Sequence, residues 1–362
     1  MRIELQPRLD PPRWLGLAAP VAAFALALLV GGVLVAALGR SPLDAFRVYF
    51  VDPLTQDWSL AALAVKASPL VMIAVGLCFC FRANLWNIGA EGQFVVGGAC
   101  GGALALATHG VDHMGPLGGA WILPALLALG AIGGALYALI PALLRVALGV
   151  NEILSSLMLV YVAGLGLDYL VRGPWRDPAG FNFPVSVNFD PEATLPNLVD
   201  GLSLHAGVLI TLAVVVLAAL VFSRTLFGYE IRCVGAAPRA ARFSGFSERR
   251  LTLLVFALSG GLAGLAGAIE VAGPIGQLQP SISPGYGFTA IIVAYLGRLQ
   301  PVGVLVAGLV LALTYVGGEG AQIALKLPLD VTKAFQGVLL VCVLGADVAT
   351  RYQVRIIGRV MA

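Results

Sequence analysis

Long apolar runs separated by short polar stretches dominate the chain, and ten of them are candidates for membrane-spanning helices. The first five are Trp14–Leu38, Leu60–Phe81, Phe94–Ala107, Trp121–Leu144 and Ile153–Val171. The others are Leu204–Phe222, Leu251–Val271, Phe288–Leu299, Val302–Val316 and Ala334–Leu344. A helix needs about 20 largely apolar residues to cross the hydrocarbon core. The third and eighth runs fall short of that, as segments do where helices break around a site. Between the second and third runs lies RANLWNIGAEGQF (82–94), which sets Arg82, Asn84, Asn87, Glu91 and Gln93 between Phe81 and Val95. Polar side chains at membrane depth are expensive and line a pathway or a protein interior. Gly89 and Gly92 loosen the helix there, and irregular backbone at that depth survives only against protein or a water-filled cavity.

A second interruption is EVAGPIGQLQPSISPGYGF within Glu270–Gln300. Gly273, Pro274, Gly276, Pro280, Pro284, Gly285 and Gly287 cannot all belong to one continuous helix. Gln277 and Gln279 supply amides of the kind Gln93 supplies. One broken segment in each half of a chain is the pattern of a transporter's central site, and an external turn is the plainer alternative for the second. Asn151 and Glu152 open the fifth run. Asn151 suits an N-cap and Glu152 the positive end of a helix, with a contribution to gating as the other reading; Ser155, Ser156 and Tyr161 suit helix contacts.

Loop charge orients the spans. Residues 224–250 hold six arginines against Glu230 and Glu248, whereas 173–203 hold Arg176 against Asp177, Asp190, Glu192 and Asp200. The positive-inside rule makes the first loop cytoplasmic and the second external. Arg2, Arg8 and Arg13 at one end and Arg351, Arg355 and Arg359 at the other place both termini inside, which ten spans satisfy. The expected fold is therefore all-α: a polytopic membrane bundle of about ten helices with broken or re-entrant segments, forming one domain over 1–362. The first run has no cleavage site after it and reads as a retained span. Within the cytoplasmic loop, Ala236–Ser244 can form a short amphipathic helix ending at Gly245. It suits either anionic lipid or a cytoplasmic partner that transmits motion.

Composition agrees: 59% of residues are hydrophobic and 11% charged, against roughly 25% charged in soluble domains. A net charge of +3 gives no reason to expect nucleic acid. There is no nucleotide-binding loop and no nucleophile with a nearby base, so no catalytic residue is assigned and any energy source must be separate. The five cysteines form no metal or disulfide pattern and read as packing residues. His109, His113 and His205 lie at predicted external ends and read as surface histidines. Glu91 suits contact with a solute or an internal cap. Glu91, Glu152, Glu270 and Glu319 keep an ion-coupled transporter as a competing class.

NLWNIGAEGQF (84–94), GVNEILSSLML (149–159) and GYEIRCVGAAPRAARFSGFSERR followed by LSGGLAGLAGAIEV resemble the permease subunits of bacterial ABC importers. Within these the chain is similar to the nucleoside and simple-sugar branch, related to ribose and branched-chain amino acid permeases, from about Leu60 onward. The resemblance implies a multi-pass protein of the bacterial plasma (inner) membrane that pairs with a second permease subunit, a different chain. It also implies cytoplasmic ATP-binding cassette ATPases and an extracytoplasmic substrate-binding protein, with no cofactor on this chain and ATP and Mg on the ATPase. The coupling helix would be Gly235–Gly245, with Gly235, Arg239, Ala240, Ala241, Ser244 and Gly245 meeting the ATPase. Asn84, Asn87, Glu91, Gln93, Gln277 and Gln279 would line or frame a path for a nucleoside, or for a simple sugar or related polar solute. Two departures stand out: Ala236, Ala237 and Phe246 in the coupling loop, and Arg298 and Leu299 where relatives carry small glycine-rich sequence.

Overall fold

The computed structural model describes residues 2–7, 15–110, 119–199 and 201–357. In chain order the helices are α1 (Leu15–Ala37), α2 (Pro42–Phe46), α3 (Asp57–Arg82), α4 (Ala90–Ala107), α5 (Ile122–Leu148), α6 (Glu152–Arg172) and α7 (Gly207–Arg224). They continue as α8 (Leu226–Ala236), α9 (Pro238–Phe243), α10 (Glu248–Glu270), α11 (Tyr286–Leu296), α12 (Pro301–Ala324) and α13 (Leu329–Arg351). Every one of the ten apolar runs has its helix. Seven of the helices are long and apolar enough to cross a membrane. Of the remainder, α4 begins with a polar turn holding Glu91 and Gln93, and α11 has only 11 residues.

The chain packs as two compact units, residues 1–56 with 313–362 and residues 57–312. In the first, α1 lies against α13, and a π-helical turn at Arg47–Val51 follows α2. Tyr49 is buried there, its hydroxyl 2.8 Å from Thr332 Oγ1. One departure from the all-α expectation occurs here: Arg2–Pro7 (β1) pairs antiparallel with Tyr352–Ile357 (β2). That pairing brings the two terminal segments together.

The second unit is organised around α10, which packs on α5, α4 and α3. Its sequence LSGGLAGLAGA supplies the small residues that let helices approach closely in lipid. A Cβ on Gly97 of α4 would lie 2.1 Å from the Gly264 Cα, so the two backbones touch and no larger residue fits. Protein nearly encloses α3, whereas most of α6 faces outward, where apolar side chains such as Leu165 and Tyr169 are exposed. This distribution is that of a multi-pass membrane protein.

Candidate functional site

The first polar interruption is a break in the helix. α3 stops at Arg82, Asn84 takes φ +58°, and α4 begins only at Ala90. Residues 83–89 are irregular, and all but Asn84 are buried or half-buried, so their N–H groups need partners. The last carbonyls of α3 accept from Ala83, Asn84 and Leu85, and side chains supply others. Gly89 N–H donates to Asn87 Oδ1 (3.2 Å), Ile88 N–H to Ser156 Oγ (3.3 Å) and Trp86 N–H to Glu152 Oε1 (3.5 Å). Asn87 is fully buried; its Nδ2 donates to Gln93 Oε1 (2.9 Å) and Ser259 Oγ (3.0 Å), and its Oδ1 accepts from Gln93 Nε2 (2.9 Å). Asn87 and Gln93 thus bond each other face to face, and Ser259 ties them to α10. Asn84 is exposed.

Asn151 occupies the N-cap of α6, its Oδ1 accepting from Ile153 N–H (2.9 Å) and Leu154 N–H (3.4 Å). Glu152 is buried and forms an ion pair with Arg145 of α5. The polar entry at 151–152 therefore anchors α6 against both α5 and the break. Arg82, which the sequence places near Glu91, instead stacks over the Phe222 ring at 4.2 Å.

The second interruption is longer. α10 ends in a π-helical turn, Val271–Ile275, and Gly276 at φ +71° sends the chain into an irregular leg that lasts to Gly285. Leu278 packs over Gly102 and Ile282 over Gly98, so the leg descends along α4 toward its first turn. There α11 starts. Ser283 Oγ accepts from Gly285 N–H (3.1 Å) and Tyr286 N–H (3.0 Å), and Glu91 Oε2 accepts from Gly287 N–H (2.6 Å). Glu91 is thus the cap of a helix almost 200 positions away in sequence, fixed by the positive end of that helix. Buried Glu270 bonds the Tyr286 side chain and feels the charge of Lys66. The segment is a re-entrant leg and half-helix, not the external turn that was the plainer alternative.

The loop between α6 and α7 holds the first part of that leg by hydrogen bonds. Ser186 N–H donates to Leu278 O (2.9 Å), Leu278 N–H to Ser186 Oγ (2.8 Å), Phe189 N–H to Gly276 O (2.8 Å) and Leu195 N–H to Ala272 O (2.8 Å). Leu278 and Ile282 face α4, while Gln277, Gln279 and Ser281 alternate with them and are partly or fully exposed. Gln279 Nε2 donates to Ser281 O (3.2 Å), and Gln277 has no hydrogen-bond partner among the described residues.

At the C-terminal end of α11, Tyr295 stacks on Phe81 (5.4 Å between centroids) and Trp86 (6.0 Å). Arg298 and Leu299 both take φ +55° in the turn to α12. Glycine is the residue that adopts this conformation without strain, so the departure at these positions concerns a turn. The segment between α7 and α10 is more helical than expected. α8 precedes the short helix α9, which Gly245 terminates at φ +85°. Gly235 lies in α8, outside α9, and a Cβ there would sit 2.0 Å from the Arg82 carbonyl. Of the other residues assigned to coupling, Ala241 is buried and Arg239, Ala240, Ser244 and Gly245 are exposed, with Phe243 95% exposed beside them.

Of the histidines, His109 is at the surface as expected and His205 is not. His109 bonds Asp190 (3.1 Å) near the surface, and His113 lies outside the described residues. His205 is 2% exposed: its Nδ1 accepts from Gly207 N–H (3.1 Å), and its Nε2 has no partner among the described residues. The Asn197–His205 bridge and the packing of its ring on Gly273 draw it inward. Burial pushes its pKa below the usual value. Ser156, Ser259, Ser283 and Tyr286 are site residues that sequence reasoning did not assign; only the Ser-Pro-Gly at 283–285 carried a local signal, that of a helix start.

The family described as branched-chain amino acid transport system / permease component matches residues 59–344. The glucose ABC transporter permease protein of Haloferax volcanii is 38% identical over 98% of this chain and 95% of its own. A nucleoside ABC transporter permease protein of Lactococcus lactis is 26% identical over 83% of each. The guanosine ABC transporter permease protein of Bacillus subtilis is 25% identical over 93% of this chain and 94% of its own. No solved structure matches.

Proposed function

Since the chain belongs to the permease family of branched-chain amino acid transport systems, we propose that it forms the path for a nucleoside in an ABC importer. A second permease chain, cytoplasmic ATPases and an extracytoplasmic substrate-binding protein complete the assembly, and ATP and Mg are used on the ATPases. The named relatives are ABC transporter permeases, which favours the importer over the ion-coupled alternative.

One observation carries the reading: a re-entrant leg whose one flank is sealed on α4 while the other presents Gln277, Gln279 and Ser281. An amide donates and accepts at once, which suits an uncharged solute bearing hydroxyls and base edges. Asn87, Glu91 and Gln93 frame the path by holding its two breaks, and Asn84 lies at the edge of the first. Asn151 and Glu152 anchor the frame on α6. Arg239, Ala240, Ser244 and Gly245, with Ala241 as their packed base, form the ATPase contact; Gly235 carries its movement to Arg82 and so to the first break.

A simple sugar is the second reading, favoured by the 38% identity to a glucose permease. Ribose and hexose hydroxyls make the same demands on amides, so the leg alone does not separate them. The complex reconstituted with its ATPase and binding protein should take up labelled guanosine in an ATP-dependent manner. Uptake of labelled glucose with no competition from guanosine would replace the nucleoside by the sugar. Uptake driven by an ion gradient without the ATPase would remove the importer reading.

A further inference from the structure

The external loop carries an element that lining a path does not require. Between Arg176 and Ser186 the backbone closes into a hairpin. Asp177 N–H donates to Val185 O (2.8 Å), Gly180 N–H to Asp177 O (3.2 Å), and Phe183 N–H to Gly180 O (2.9 Å). Asp177 Oδ1 accepts from Ala179 N–H (2.8 Å), and the Arg176 guanidinium reaches Asn182 Oδ1. At the tip Phe181 and Asn182 take φ +47° and +74°. For a bulky side chain this conformation is an outlier. The ring gains nothing inside the fold in return: Phe181 is 93% exposed and Phe183 66% exposed. Strain held in place by surrounding bonds clusters at ligand clamps and switch regions, and exposed aromatic rings on a rigid support are the groups that dominate protein interfaces.

We propose that Phe181–Phe183 is a docking finger for the substrate-binding protein, its two phenyl rings entering an apolar notch rimmed by basic side chains. The inference rests on the importer reading and adds the contact and its chemistry. Two features select this partner over a lipid surface. The loop from 173 to 203 carries Arg176 against four carboxylates, Asp177, Asp190, Glu192 and Asp200, so it repels anionic headgroups and attracts a basic rim. The hairpin also ends at Ser186, which exchanges two hydrogen bonds with Leu278 of the re-entrant leg. A partner gripping the tip therefore holds a rigid hairpin joined to the leg, whose lower end starts α11. A lipid anchor would leave that connection without use.

The test uses the full complex in nanodiscs and measures ATPase activity against binding-protein concentration. Phe181→Ser with Phe183→Ser should leave basal ATPase activity as in the wild type and raise the half-saturating binding-protein concentration by about tenfold or more. Added salt should raise it further in the wild type. Ser186→Ala removes one of the two bonds to Leu278; it should leave half-saturation unchanged and lower maximal stimulation. A wild-type half-saturating concentration in the double serine variant overturns the finger, as does retention of docking with loss of binding to phosphatidylglycerol vesicles. Full maximal stimulation in Ser186→Ala overturns the link to the leg. A wild-type complex that its binding protein never stimulates removes the importer reading, and the finger with it.

Discussion

At 83–89 and at 276–285 the chain leaves helical geometry within the same unit, and the two stretches read alike in sequence: amides, glycines, an apolar neighbour on each side. Their surroundings differ. Around the first, α6 and α10 close in from both sides, and Glu152, Ser156 and Ser259 satisfy the irregular backbone and the buried Asn87–Gln93 pair. Along the second, α4 and the loop between α6 and α7 cover one flank and leave Gln277, Gln279 and Ser281 on the other. Polarity at membrane depth thus has two solutions, internal satisfaction and an open wall, and burial of the amides separates them. The first break should respond to substitution in stability, the second in transport.

The largest effect is expected at Asn87. Asn87→Ala leaves Gln93, Ser259 and the Gly89 N–H with unpaired buried groups, each such loss costing about 1–3 kcal/mol. A net destabilisation of about 3 kcal/mol is expected by reversible unfolding in detergent, with reduced yield in membranes. A variant as stable as the wild type would end the distinction between the two breaks. Glu91→Ala comes next: it removes a charged acceptor from the first turn of α11, for an expected loss of about 2 kcal/mol. Glu91→Gln keeps an acceptor for the Gly287 N–H and should lose under about 1 kcal/mol. If the glutamine variant fell as far as the alanine one, the carboxylate charge would matter more than the cap geometry.

The sequence carried more of this frame than of its wiring. Ten apolar runs marked ten helices because a span must be apolar over most of its length, and the short eighth run announced the half-helix. Residues 82–94 announced a break because isolated polar groups in lipid demand compensation. Polarity says that a partner exists but not which one. Asn87 meets Ser259 across 172 positions and Glu91 meets Gly287 across 196, pairings that only the packing of α4 on α10 and α11 decides. His205 was unreadable for a related reason: its neighbours are those of a loop, and the Asn197 bridge and Gly273 bury it. Apolar runs also have no way to announce that β1 pairs with β2.

A smaller effect is expected at His205, whose ring packs on Gly273 near the start of the second break. Its Nδ1 accepts from Gly207 N–H, so the neutral ring is the form that fits, and burial holds its pKa below the usual value of about 6.5. Below about pH 6.5 the unfolded chain binds a proton that the native state refuses, so stability falls as pH drops toward the depressed folded value and is flat above. His205→Asn keeps a helix-capping acceptor and should abolish this part of the acid sensitivity. An unchanged pH profile in that variant would assign the sensitivity elsewhere.

The smallest change in stability belongs to the open wall, and it is the sharpest test of the comparison. Gln277 has no hydrogen-bond partner among the described residues and Gln279 bonds only Ser281 O nearby. Truncating either side chain therefore strands no buried group, and each Gln→Ala variant should unfold within about 0.5 kcal/mol of the wild type, as substitutions away from packed features do. Transport should nevertheless fall, by about tenfold in the double variant, because the lost amides are worth roughly 0.5–1.5 kcal/mol each to a solute that must shed water on its way through. The opposite result, full transport with a large loss of stability, would make the second break another internally satisfied frame like the first and would move the path to a different wall of the protein.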